Sequence, residues 1–258
     1  MIDDRAQIRV HLVGAGPGDP ELITLRGARL LGEADVVLYD RLVHPALLER
    51  VREEAIRIFV GKRCGKASIT QAEINETMIR HARAGQRVVR LKGGDPFIFG
   101  RGGEECLELA QAAIPFEVVP GVSSVISVPT FAGIPLTHRN LSSAFTVVSG
   151  HLHGDSSPYD WRALAAAPTL VVVMGLRNLP EITSRLMDAG KSPDTPVAVV
   201  RAGTVSDQET VTAPLRDIAE QARTLEPPAV IVIGPVAELH HKIGWFASAG
   251  RRSHGSVR

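Results

Sequence analysis

The segment Ile8-Arg9-Val10-His11-Leu12-Val13-Gly14-Ala15-Gly16-Pro17-Gly18-Asp19-Pro20 runs a short apolar stretch straight into a glycine-rich loop. The pattern returns where residues 87–91 open into Gly93-Gly94-Asp95-Pro96-Phe97-Ile98-Phe99-Gly100-Arg101-Gly102-Gly103-Glu104-Glu105. Glycine at this density is costly to order and persists where a backbone turns tightly or lies close against a ligand. Each run therefore reads as a strand ending in a binding loop. A dinucleotide fingerprint would need G-x-G-x-x-G, but Asp19 stands in place of the third glycine and would repel a pyrophosphate. Gly61-Lys62-Arg63-Cys64-Gly65-Lys66-Ala67 fails as a phosphate loop as well, having the wrong length and no Ser or Thr after Lys66.

Working outward, the β-branched runs 8–13, 35–39, 56–60, 87–91 and 116–119 are expected strands. Amphipathic stretches separate them. The clearest helix is 71–84, where Thr70 and Glu73 form a capping box, Ile74, Met78 and Ala82 share a face, and Gly85 supplies a left-handed stop. This alternation predicts a mainly parallel sheet covered on both sides. Ligands bind such sheets beyond the carboxyl ends of the strands, and the loops 14–20, 40–42, 61–63, 93–103 and 120–124 all fall there. A second series follows the polar, turn-rich segment 135–143: strands at 145–149, 169–174, 197–200, 209–212 and 229–233, and helices at 160–166, 179–189 and 215–224. The close spacing of the runs around Val197 and Val211 predicts antiparallel pairing and hence a mixed sheet. The expected fold is α/β in two domains, residues 1–138 and 139–248, with the active cleft between them and a flexible tail at 249–258.

Bulk properties narrow the function. A chain of 258 residues suits two domains at ~100–200 residues each. A formal net charge of +1 and 4% aromatic residues argue against a nucleic acid or membrane partner. Cys64 and Cys106 are the only cysteines and form no disulfide framework, which fits a reducing cytoplasm. No apolar run reaches the ~18 residues of a membrane span. His151 with His153 and His240 with His241 are close pairs, but no Cys, Asp or Glu completes a metal set.

Asp40 ends a strand that is apolar at Val36, Val37 and Leu38. A carboxylate there is placed to act as a base, although the position equally suits an aspartate that bonds its own turn. Lys62 ends the next strand, where it can donate a proton or hold an anion, although the position equally suits a rim charge paired with solvent. Arg41, Lys62, Arg63, Lys66, Lys92, Arg101 and Arg139 concentrate positive charge at these loops, a distribution that fits a small polycarboxylate. G-x-S-x-G is absent around Ser123 and Ser124, so these serines are expected to cap a helix or bond a ligand.

At these same loops the chain resembles the tetrapyrrole methylase family. The resemblance is carried by 13–20 and by the long run 89–105, with support from Leu38-Tyr39-Asp40-Arg41-Leu42-Val43, Val60-Gly61-Lys62-Arg63, Gly133-Ile134-Pro135-Leu136-Thr137-His138-Arg139 and Met174-Gly175-Leu176. It covers about residues 8–246. The long run and 39–43 are similar to the branch that methylates uroporphyrinogen III; a sister methylase acting on a later corrin precursor should lack the Gly-Gly-Asp-Pro-Phe stretch. The resemblance implies two α/β domains, a homodimer, and S-adenosylmethionine as methyl donor, released as S-adenosylhomocysteine. It sets the donor against Pro17, Gly93, Gly94, Asp95, Ile98, Ser123, Ser124, Met174 and Gly203. It further implies Asp40 as proton acceptor, Lys62 as proton donor, and Arg101, Glu104 and Arg139 as substrate-binding residues.

Overall fold

The computed structural model describes residues 8–61, 69–151 and 159–246. The chain forms two compact units, Met1–Ser123 and Ser124–Arg258. The first holds strands β1 (Val10–Gly14), β2 (Val36–Tyr39), β3 (Ile56–Phe59), β4 (Val88–Lys92) and β5 (Phe116–Val119), and helices α1 (Leu25–Glu33), α2 (Pro45–Leu48), α3 (Gln71–Arg83) and α4 (Gly102–Gln111). The strand order is β3-β2-β4-β1-β5 and every pair is parallel. Each strand therefore ends on the same edge, which the sequence had marked as the ligand side.

Period-two alternation decides what each face of this sheet touches. Val13, Val37, Val89 and Leu91 pack with Leu30 and Leu31 of α1 and Leu47 of α2. Val10, Leu12, Leu38 and Val88 pack on the opposite side with Ile74 and Met78 of α3 and Leu109 of α4. The α3 terminus follows the sequence closely. The Thr70 side chain accepts from the Glu73 N–H, the Glu73 carboxylate accepts from the Thr70 N–H, and Gly85 stands at φ +80°.

The second unit holds α5 (Ser124–Phe131), β6 (Phe145–Ser149), α6 (Trp161–Ala166), β7 (Thr169–Val173), α7 (Leu179–Asp188), β8 (Pro196–Arg201), β9 (Glu209–Pro214), α8 (Ile218–Gln221), β10 (Ala229–Ile233) and α9 (His240–Ile243). Its sheet runs β6-β7-β10-β8-β9, with β6 and β7 parallel and the other pairs antiparallel. The mixed sheet and the β8–β9 pairing agree with the sequence reading.

Two expectations need correction. The division falls after Ser123, not after residue 138, and 135–143 lies inside the second unit. The reason is α5: Val125 and Val128, followed by Ala132, Ile134 and Leu136, bury against Val171, Val173, Ala198 and Val200 of the second sheet. The helix expected over 215–224 shrinks to Ile218–Gln221, because Leu215 is bonded to Thr195 as the β9 end turns away. The tail 249–258 lies outside the described residues.

Candidate functional site

At the carboxyl edge of the first sheet, three strand ends meet backbone to backbone. Gly16 and Gly94 exchange hydrogen bonds, the Gly94 N–H donating to Gly16 O at 2.7 Å and the Gly16 N–H to Gly94 O at 3.3 Å. A Cβ added at Gly121 would lie 2.2 Å from Gly94 O and 2.7 Å from the Gly14 Cα. No side chain fits among these loops, which is the physical reason for the glycines after β1, β4 and β5. Asp95 stitches them together: Oδ2 accepts from the Gly121 N–H at 3.0 Å and Oδ1 from the Phe97 N–H at 2.8 Å. Pro17, Gly93, Gly94, Asp95, Ile98 and Ser123 thus share one edge of one sheet. Phe97, Ile98 and Phe99 stand about half exposed beside the turn, an apolar surface next to backbone amides that fits a nucleoside.

Asp40 follows β2 on the same edge. Its carboxylate does not bond its own turn. Oδ1 accepts from Nη2 of Arg90 at 2.7 Å, and Arg90 is 3% exposed. Because Val88 faces α3 and α4, so do Arg90 and Lys92 two and four residues on. There Glu105 of α4 accepts at a single oxygen, Oε1, from Arg90 Nε at 3.1 Å, Lys92 Nζ at 3.0 Å and Gln71 Nε2 of α3 at 3.1 Å. Burial above all, then the neighbouring Arg90 charge, pushes Lys92 below the usual lysine range, while Glu105 and Asp40 pull it back up. Burial first, and then the Glu105 charge, raises the thiol of Cys106.

Lys92 is accordingly not one of the rim cations that the sequence suggested; it lies inside, paired. Arg41 and Arg101 are exposed. Arg101 opens α4 in a left-handed conformation, φ +60°, and its Nε lies 3.4 Å from Oε1 of the also exposed Glu104. Lys62, with Arg63, Cys64 and Lys66, lies outside the described residues. Arg90 and Glu105 were missed as site residues. The available signal was Arg90 and Lys92 at alternate positions of an otherwise apolar strand.

In the second unit, β7 and β8 both run antiparallel to β10, so Met174 and Gly203 follow strand ends on the same edge. Met174 is left-handed, φ +55°, and 45% exposed. Gly203 is pressed against α5: a Cβ there would lie 2.5 Å from the Val128 Cγ1, one helical turn from Ser124. Arg139 is exposed in a turn closed by the His138 N–H donating to Ser142 O at 2.8 Å.

A family model for Tetrapyrrole (Corrin/Porphyrin) Methylases matches residues 9–219. Siroheme synthase 1 of Yersinia enterocolitica is 50% identical over 244 residues, which are 94% of this chain and 52% of that protein. Siroheme synthase of Neisseria meningitidis serogroup B is 50% identical over 242 residues, 93% of this chain and 50% of that one. The chain spans about half the length of these curated relatives. The solved uroporphyrin-III C-methyl transferase from Thermus thermophilus, complexed with S-adenyl homocysteine, superposes with a TM-score of 0.78 at 46% identity, covering 90% of this chain and 99% of that one. A cobalt precorrin-4 methyltransferase gives a TM-score of 0.81 at 29% identity over 92% of this chain and 99% of the other. On the strength of the family match over most of its length, this chain belongs to the tetrapyrrole methylases.

Proposed function

We propose that this protein transfers methyl groups from S-adenosylmethionine to C2 and C7 of uroporphyrinogen III, giving precorrin-2 by way of precorrin-1 for sirohaem or cobalamin synthesis. The observation that carries this reading is the 46% identity to the Thermus thermophilus enzyme across 99% of that chain. The likeness to the cobalt precorrin-4 enzyme is far weaker in sequence, at 29%, which speaks against a later corrin substrate.

S-adenosylmethionine supplies an electrophilic methyl on sulfur. A pyrrole carbon attacks that methyl, a carbon–carbon bond forms, the sulfur–carbon bond breaks, and S-adenosylhomocysteine leaves. What remains is a proton on the methylated ring system, and Asp40 accepts one at each round. Lys62 is the proposed donor. Pro17, Gly93, Gly94, Asp95, Ile98, Ser123, Ser124, Met174 and Gly203 are the proposed contacts of the methyl donor. Since both Asp95 oxygens already accept from backbone amides, Asp95 contributes by shaping the loop. Arg101, Glu104 and Arg139 bind the substrate, whose carboxylates suit guanidinium groups. Aligning carbon, methyl and sulfur can supply ~7–11 kcal/mol of rate enhancement. We further propose a homodimer that works in the cytoplasm; among the described residues no helix is long and apolar enough to cross a membrane.

Transfer of labelled methyl from S-adenosylmethionine to uroporphyrinogen III under anaerobic conditions tests the reading. Transfer to a later corrin precursor alone would replace it with the sister activity.

A further inference from the structure

Arg90, Lys92, Glu105 and Asp40 form one connected array beneath the carboxyl edge of the first sheet. Glu105 is 0% exposed, its Oε1 takes three donors, and its Oε2 has no hydrogen-bond partner among the described residues. A buried carboxylate in this state is a poor way to stabilise a core, because well-packed apolar side chains of like volume do as well or better. Buried ionisable clusters of this kind are found at functional sites, and this one touches Asp40. Two cations face two carboxylates, so the array is neutral while Asp40 is ionised and becomes net positive when Asp40 takes a proton.

We propose that Glu105 and Lys92 are positioning residues for Asp40: through Arg90 they fix its carboxylate, and together they set the charge against which it accepts and then releases each proton. This rests on Asp40 being the proton acceptor. Two successive methylations need the same base twice, and an array driven positive by protonation favours release to solvent before the second round. Among the described residues, few other groups face the array. From α3 come Gln71 and Asn75, which are neutral and bonded to each other at 3.1 Å; from α4 comes Cys106, whose raised thiol stays protonated; after β2 comes Arg41, exposed to solvent. The core on this side of the sheet is apolar, with Leu12, Leu38, Ile74, Met78 and Leu109.

The test is the acid limb of the pH–rate profile in Glu105→Gln, Lys92→Met and the double variant, with S-adenosylhomocysteine binding measured alongside. Removing the Glu105 charge leaves Asp40 facing excess positive charge, so the limb should move to lower pH by roughly one unit, the lower end of what a neighbouring charge does to a carboxylate. Removing the Lys92 charge should move it to higher pH by a similar amount. The double variant, neutral again, should return close to the starting profile. Gln71→Lys, at a half-buried position that can still donate to Glu105, should lower the limb without deleting a buried group, and so serves if a single variant does not fold. Uniform loss of activity with the limb unmoved in all four would overturn the inference and leave the array a structural feature. An acid limb that survives Asp40→Asn would remove Asp40 as the acceptor and this role with it. A limb abolished by Asp40→Asn yet unmoved by the array variants would overturn this inference alone.

Discussion

The guanidinium of Arg90 approaches Asp40 at 2.7 Å across a separation of fifty residues, and only one of the two is open to solvent: side-chain exposure is 3% for Arg90 and 30% for Asp40. A carboxylate at a strand end would ordinarily sample several rotamers. Here a buried, doubly anchored arginine holds it in one orientation at the edge where the glycine loops converge.

Asp40→Ala is expected to slow methyl transfer by on the order of 10²- to 10⁴-fold, the usual contribution of a positioned general base, while leaving S-adenosylhomocysteine affinity nearly intact. Asp40→Asn retains an oxygen for Arg90 and should show the same kinetic loss with less effect on folding. Single-turnover rates and calorimetric binding separate the two readouts. A large loss of donor binding in Asp40→Asn would refute the assignment.

Gly121→Ala would put a methyl group into backbone, not into a side chain that can swing aside. A cost on the order of 1–3 kcal/mol is expected from such overpacking, together with weakened donor binding, because the loops after β1 and β4 must both shift. Urea denaturation and donor titration on one preparation check this; unchanged values in both would mean that the three strand ends do not meet as described.

Gly203 and Val128 offer a paired test in the second unit. Gly203→Ala alone meets Val128 Cγ1 at 2.5 Å and Cγ2 at 2.6 Å and should cost on the order of 1–3 kcal/mol. Placed in a Val128→Ala background, which removes both Cγ atoms but keeps the Cβ at 2.9 Å, the same change should cost less, so the two are expected to be non-additive. Simple addition of the single effects in a double-mutant cycle would contradict the packing.

His11 on β1 ties stability to pH. Its Nδ1 lies 2.7 Å from Oε1 of Glu117, Arg26 pairs with the other Glu117 oxygen, and Nε2 is buried without a partner among the described residues. Burial pushes the ring below its ordinary 6.5, outweighing the upward pull of Glu117. The unfolded chain therefore binds a proton that the folded one resists, and stability should fall as pH drops through about 6.5 until the lower folded value is passed. Urea midpoints measured across that interval should slope less steeply in His11→Gln; an identical slope would show that other groups govern the acid side.

Much of the fold was legible because local chemistry and tertiary structure agree. The Thr70–Glu73 box, the left-handed Gly85 and the apolar runs of β2 and β5 are read from adjacent residues, and they stand as expected. The domain division was not legible, since α5 is apolar at Val125, Ile126 and Val128 and its polar residues, Ser124, Ser127 and Thr130, are small and uncharged, so no charged face says which sheet it covers. For the candidate site, the place of Asp40 at the carboxyl edge was legible, because it follows an apolar strand. Its partner was not, because pairing β2 with β4 is a property of the parallel sheet order. Lys92 misled for a related reason: a lysine beside a glycine loop reads as a rim charge until the strand's alternation turns it inward toward Glu105.

The most direct measurement is an anaerobic incubation of the purified protein with uroporphyrinogen III and S-adenosylmethionine labelled with carbon-13 in the methyl group, reading the number and ring positions of the labelled methyls by mass and NMR. Two labelled methyls, at C2 and C7, are expected. Donor binding without transfer to uroporphyrinogen III, or label at other ring positions, would contradict the proposed function.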